Sequence, residues 1–164
     1  MKDLIVYYSL EGNTEYVVNR IKEKTGADSL KLIPKKAYVD KGFAKFIWGG
    51  KSAVMAEKPE LESYDTDLSS YDRIIFGFPV WASTFTPPLR TFIAENMDAV
   101  KEKRIAAFAC QSGSGAEKAF EKLAKYIGID SLETTAVFFD PKARPDVKKD
   151  AEIDAFSEAL KKTS

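Results

Sequence analysis

Three short, unbroken apolar runs do most to constrain the fold of this chain: DLIVYY at 3–8, RIIFGF at 73–78 and RIAAFAC at 104–110, and a further strand fits TTAVFF at 134–139. A strand with one face in water alternates apolar and polar residues. A run that is apolar at nearly every position needs cover on both faces. The chain supplies that cover. From Thr14 the residues Val17, Val18 and Ile21 recur at helical spacing until Gly26, where a helix would stop. PLRTFIAENM follows the second of these runs, AEKAFEKLAKYI the third, and an amphipathic pattern fills 147–162. SLKLI at 29–33 alternates like a further strand and ends at Pro34. Five strands alternating with helices predict an α/β fold around a parallel sheet. The length of 164 residues fits one domain, 1–164, with no repeat and no linker. The segment 35–70 is too long for a plain crossover and is the one irregular part.

Composition narrows the function. Lys and Arg number 25 against 25 Asp and Glu, so no electrostatic case exists for nucleic acid or an anionic membrane as partner. No stretch reaches the ~18 apolar residues of a membrane span, and the N-terminus has no signal-peptide pattern. The single cysteine, Cys110, has no internal partner, which suits a reducing cytoplasm. Histidine is absent. That removes Ser-His-Asp and Cys-His catalysis and the commonest metal ligand. No catalytic side chain and no metal site is therefore nominated, and the chemistry is assigned to a bound cofactor.

In a parallel α/β sheet, ligands lie beyond the carboxyl ends of the strands, near the point where strand order reverses. Three segments fall there. The first is Ser9, Leu10, Glu11, Gly12, Asn13 and Thr14, between the first strand and the first helix. Hydroxyl and amide side chains around one glycine at a helix start can cradle a phosphate, although Ser, Asn or Thr there also serves as an ordinary helix cap. The loop is not G-x-G-x-x-G and lacks the lysine of G-x-x-x-x-G-K-[ST], so a mononucleotide fits better than NAD or ATP. The second segment is Pro79, Val80, Trp81, Ala82, Ser83 and Thr84, where the indole is either a core plug or a platform for a flat ligand. The third is Gln111, Ser112, Gly113, Ser114 and Gly115, a loop able to bring backbone amides against the edge of a heterocycle. With all three together, the platform is the expected role of Trp81. Cys110 is read as buried core, with no base nearby to activate it. Trp48, in FIWGG, could cover the bound ring or fill the core, and core is the expected role.

The chain resembles the flavodoxin-like family over nearly its whole length. SLEGNT is similar to the family's phosphate loop, GFPVWASTFTPPLRTFI to the segment carrying its flavin-ring loop, and QSGSG stands where its third loop meets the ring's pyrimidine edge. GFAKFIWGGKSAVMAEKPEL resembles a subgroup of short flavodoxin-like proteins. The resemblance implies a flavodoxin-like three-layer α/β sandwich, with a five-stranded parallel sheet of order 2-1-3-4-5. It also implies non-covalent FMN on the three loops named above, and electron or hydride transfer through the flavin.

Three departures bear on the role. Glu11 replaces a hydroxyl residue common in the middle of the phosphate loop. The third loop carries no aromatic, which leaves a ring face open to a second substrate. The balanced charge lacks the acidity that steers carriers to basic partners. The missing aromatic and the balanced charge favour a reductase, the small single-domain size favours a carrier, and the expected function is electron transfer to a redox partner protein or a small-molecule acceptor. The alternatives are an FMN-dependent NAD(P)H:acceptor (quinone) oxidoreductase and, last, a flavin-free binding module.

Overall fold

Both-face burial governs the architecture. The computed structural model describes residues 1–38, 51 and 55–163; Trp48 and most of the stretch 42–61 lie outside them. The strands are β1 (Asp3–Tyr7), β2 (Asp28–Lys31), β3 (Arg73–Pro79), β4 (Arg104–Gln111) and β5 (Thr135–Phe139). The helices are α1 (Asn13–Thr25), α2 (Pro87–Glu95), α3 (Met97–Lys101), α4 (Ala116–Ile127) and α5 (Val147–Lys162). All pairings are parallel, in the order β2-β1-β3-β4-β5, with Val6 beside Phe76 and Phe76 beside Ala107. This is the flavodoxin-like α/β arrangement.

The side-chain period of two sends alternate residues to opposite faces. Leu4, Val6, Ile74, Phe76, Phe78, Ile105 and Ala107 face one core, closed by Leu89, Phe92 and Ile93 of α2 and by Ala119, Leu123 and Ile127 of α4. Ile5, Tyr7, Ile75, Ala106 and Phe108 face the other, closed by Val17, Val18 and Ile21 of α1 and by Ile153, Phe156 and Leu160 of α5. Two cores around one sheet make three layers. The continuous apolar runs are the sequence's record of that.

Three details differ from the sequence reading. The helix expected through 88–97 breaks at Asn96, whose φ is −124°. Its side-chain amide donates to Phe92 O (2.8 Å) and to Tyr64 Oη (2.9 Å), offering the backbone an alternative to the next helical turn. β3 and β4 run past their apolar stretches to Pro79 and Gln111, so two strands extend directly into the loops that carry the site. Gly77, in β3, makes room for a ring: a Cβ there would stand 2.4 Å from Phe108 Cζ.

Candidate functional site

Parallel strands that all end on one edge of the sheet bring their following loops together, and this is where the cavity lies. It measures about 250 Å³ and is walled by Ser9, Leu10, Glu11, Asn13 and Thr14 from the β1–α1 loop. Pro79, Val80, Trp81 and Ala82 line it after β3, and Gln111, Ser112, Gly113 and Ser114 after β4. Two residues that sequence reasoning did not place there, Cys110 and Asp140, complete the wall. The volume is below the ~300–1,000 Å³ usual for small-molecule pockets, so a mononucleotide would lie partly within it and partly at its rim.

Gly12, Ser83, Thr84 and Gly115 build the cavity without facing it. Gly12 and Gly115 have φ of 92° and 109°, and each turns the chain into the helix that follows. The space beside each is taken by a side chain. A Cβ on Gly115 would meet Ser83 Oγ at 2.6 Å, and one on Gly12 would meet Lys142 Nζ at 2.6 Å. Trp81 and Thr84 exchange both backbone hydrogen bonds (3.1 and 3.0 Å) across a two-residue hairpin. Ala82 and Ser83 at its tip have φ of 50° and 54°, a left-handed pair that costs on the order of 1 kcal/mol per non-glycine residue. The Lys122 ammonium, donating to Ser83 O at 2.9 Å, holds this tip from α4.

The hairpin presents Trp81 half-buried. Its ring stands edge-on to Tyr8 (5.6 Å) and Tyr38 (5.1 Å), which fixes the indole plane at the cavity wall. The indole therefore packs on core residues and lines the cavity at once.

The phosphate-type loop has free donors. No side chain caps α1 at Gly12, although Ser9 Oγ accepts from the Glu15 N–H at 3.3 Å. Among the described residues, no acceptor takes the N–H groups of Asn13 and Thr14, the first two of the helix and unable to bond within it. Asn13 Oδ1 is already engaged by the Lys142 and Ala143 amides (2.9 and 3.2 Å), which leaves its NH₂ for a ligand. Thr14 is 1% exposed and hydrogen-bonds the Cys110 thiol. Burial pushes that thiol up to about 12, so it is a wall and not a nucleophile. Glu11 is exposed at the cavity mouth.

Behind the loop, Tyr7 Oη donates to Glu15, and Lys31 pairs with the same carboxylate at 2.9 Å. Burial, with Glu15 beside it, raises the Tyr7 phenol to about 12. The Lys31 hydrogen bond is the chief cause holding the Glu15 carboxyl below its ordinary range. This network ties the start of α1 to β1 and β2.

Asp140 comes from the far edge of the sheet. It follows β5 with φ of 43°, is 8% exposed, and accepts from Ser112 Oγ at 2.5 Å. Its carboxylate thus braces the third loop while forming cavity wall. The signal for it was present: FFDP ends the fifth strand, and the strand-end rule applies to that end as well. Among the described residues no cluster of side chains could hold a metal ion, and no helix is long and apolar enough to cross a membrane.

A doubly wound parallel sheet whose loops enclose a cavity of amide and hydroxyl donors beside an indole defines a flavodoxin-type α/β protein. The family model described as flavodoxin matches residues 2–152, and the chain belongs to the flavodoxin family. Solved structures agree on the fold. The flavoprotein of Lactobacillus acidophilus in complex with FMN is 19% identical, with a TM-score of 0.71, covering 95% of this chain and 98% of that one. The two-electron reduced flavodoxin of Megasphaera elsdenii is 18% identical, with a TM-score of 0.58, covering 95% and 98%. A flavodoxin from the domain Archaea is 17% identical, with a TM-score of 0.55, covering 99% and 98%. No curated protein matches the chain.

Proposed function

We propose that this protein binds FMN non-covalently in the strand-end cavity and passes electrons through it. The observation that carries the reading is that three separate loops meet around one cavity whose donors are chemically complementary to a phosphate at one end and a flat ring at the other. The residues fit the group. The free amides of Asn13 and Thr14, the Ser9 hydroxyl and the Asn13 NH₂ would hold the phosphate. Trp81 would take the isoalloxazine, and Gln111 to Ser114 its polar edge. When bound, the flavin supplies the electron-transfer chemistry; the chain supplies position and a partly excluded environment.

The test is binding of FMN against riboflavin to the flavin-free protein, followed by flavin and tryptophan fluorescence. A charge-assisted hydrogen bond contributes ~1.5–3 kcal/mol, so Ser9→Ala, which removes the hydroxyl donor, is expected to weaken FMN roughly tenfold and to leave riboflavin nearly unchanged. Equal affinity of the wild-type protein for the two ligands would remove the phosphate role from residues 9–14.

One observation favours a reductase over a protein-to-protein carrier. The cavity wall from Gln111 to Ser114 carries no aromatic, so a small acceptor or a nicotinamide has a face to approach. On this second reading, NADH or NADPH added anaerobically bleaches the flavin within a turnover timescale and a quinone restores it. Bleaching by dithionite alone, with both nicotinamides inert, assigns the chain to the carrier role with a redox protein as partner.

A further inference from the structure

The loop between β5 and α5 reaches the phosphate-type loop from a direction that the three strand-end segments of the sequence reading do not cover. Its amides at Lys142 and Ala143 both donate to Asn13 Oδ1, which fastens this loop to the first residue of α1. The Lys142 side chain then runs back across Gly12. A Cβ at Gly12 would stand 2.6 Å from Lys142 Nζ and 3.2 Å from Cδ, so only a glycine leaves this lane open. The ammonium thus lies beside Gly12 in the β1–α1 loop. A groove lined by Lys142 and Arg144 shares Glu11, Asn13, Ser112 and Asp140 with the main cavity, so the cation stands on the cavity's own continuation. Arg144, the second cation of that groove, lies 3.6 Å from the Asp140 carboxylate. The charge of Lys142 is also felt at Glu15, as a minor contribution to that carboxyl's lowered range.

Resting on the FMN reading above, we infer that Lys142 is a ligand-selecting residue, whose ammonium adds a full positive charge to the amide cradle and makes this site prefer a phosphorylated flavin to a dephosphorylated one. Backbone amides alone offer partial charges, and Glu11 at the same mouth opposes an anion. A lysine directed over Gly12 reverses that balance. Because Lys142 is exposed, its effect is moderate and falls with salt.

The variant is Lys142→Met, which keeps an unbranched stem over Gly12 and removes the charge; Lys142→Arg is its charge-retaining control. Dissociation constants for FMN and for riboflavin are measured on the flavin-free protein at low and high salt. The expected result is an FMN constant raised roughly five- to tenfold in Lys142→Met at low salt. Riboflavin should change less than about twofold, the FMN difference should shrink at high salt, and Lys142→Arg should restore most of the affinity. Equal weakening of both flavins, or a loss that salt does not touch, would make Lys142 a loop brace and overturn the inference. An unchanged FMN constant in Lys142→Met, with wild type still preferring FMN, overturns the Lys142 role alone. Wild-type protein that takes neither flavin overturns the FMN reading and this inference with it.

Discussion

Replacing Asp3 with alanine is expected to destabilise the fold by about 3 kcal/mol, read as a shift in the urea midpoint, while FMN affinity of the folded protein stays unchanged. Asp3 holds Arg73 at the opening of β3, with Nε to Oδ1 at 3.1 Å and NH2 to Oδ2 at 2.6 Å. Arg73 is 0% exposed, so its charge depends wholly on protein partners. The same guanidinium donates to Leu160 O (2.9 Å) and Thr163 Oγ1 (2.8 Å), binding the end of α5 to the starts of β1 and β3. Glu133 stands 3.5 Å away and Leu160 O remains after the substitution, which places the cost at the low end of the ~3–5 kcal/mol for breaking a buried pair. The double variant Asp3→Leu/Arg73→Met should recover part of the loss, since it leaves no charge stranded. Recovery will be incomplete, because Leu160 O and Thr163 Oγ1 then lose their bonds from the guanidinium. A double variant less stable than Asp3→Ala would mean that the pair itself, and not the orphaned charge, holds this end together.

The cluster sits at the amino ends of the strands, about 20 Å from the cavity along the seven residues of β3. The Arg73 cluster and the cavity therefore occupy opposite ends of one sheet. This separation explains why the sequence was legible to different depths in different places. The central sheet could be read because burial on both faces forces unbroken apolar runs, and 3–8, 73–78 and 104–110 each coincide with a strand to within a residue, while β5, an edge strand with only Phe138 buried, matches 134–139 without that cause. The three loops could be read because topology gathers strand ends, whatever the loops contain.

What escaped was geometry between segments distant in the chain. Asp140 could have been placed by the strand-end rule, but nothing local in DPKARPD marks Lys142 as a neighbour of Gly12. That proximity accompanies the Asn13 side chain capturing two amides some 130 residues further along. The glycines carry a further fact of this kind. A Cβ at Gly12 or Gly115 would strike Lys142 or Ser83, neighbours that their local sequence does not announce. The hairpin of Ala82 and Ser83 was hidden for another reason. Neither residue is a usual occupant of a left-handed turn, so the turn owes its shape to its anchors, the Trp81–Thr84 bonds and Lys122.

Gly77 offers the sharpest test of how the core supports the site. In β3 it pairs with Phe108 of β4, and an added Cβ would stand 2.4, 2.8 and 3.1 Å from three atoms of that ring. A real Cβ does not tolerate such distances, so either the ring or the strand must move. The ring has little room: Phe108 packs on Phe138 at 6.0 Å and Phe156 at 6.2 Å between centroids, and those two lie 6.1 Å from each other. Moving the strand is no easier, because Gly77 O accepts from the Tyr8 N–H at 3.1 Å, at the mouth of the phosphate-type loop. Gly77→Ala is therefore expected to cost about 2–3 kcal/mol, near the upper end of overpacking penalties, even though alanine is otherwise favoured over glycine within a strand. Since the displacement lies two residues before Pro79, FMN affinity should fall as well, in contrast to Asp3→Ala. Adding Phe108→Leu to Gly77→Ala removes the ring that the methyl strikes. If the clash is the cause, the double variant should be more stable than the sum of the single losses and should regain FMN affinity, both read by urea midpoint and flavin fluorescence. Additive losses would place the cost of Gly77→Ala in the backbone of β3 and not in its contact with Phe108.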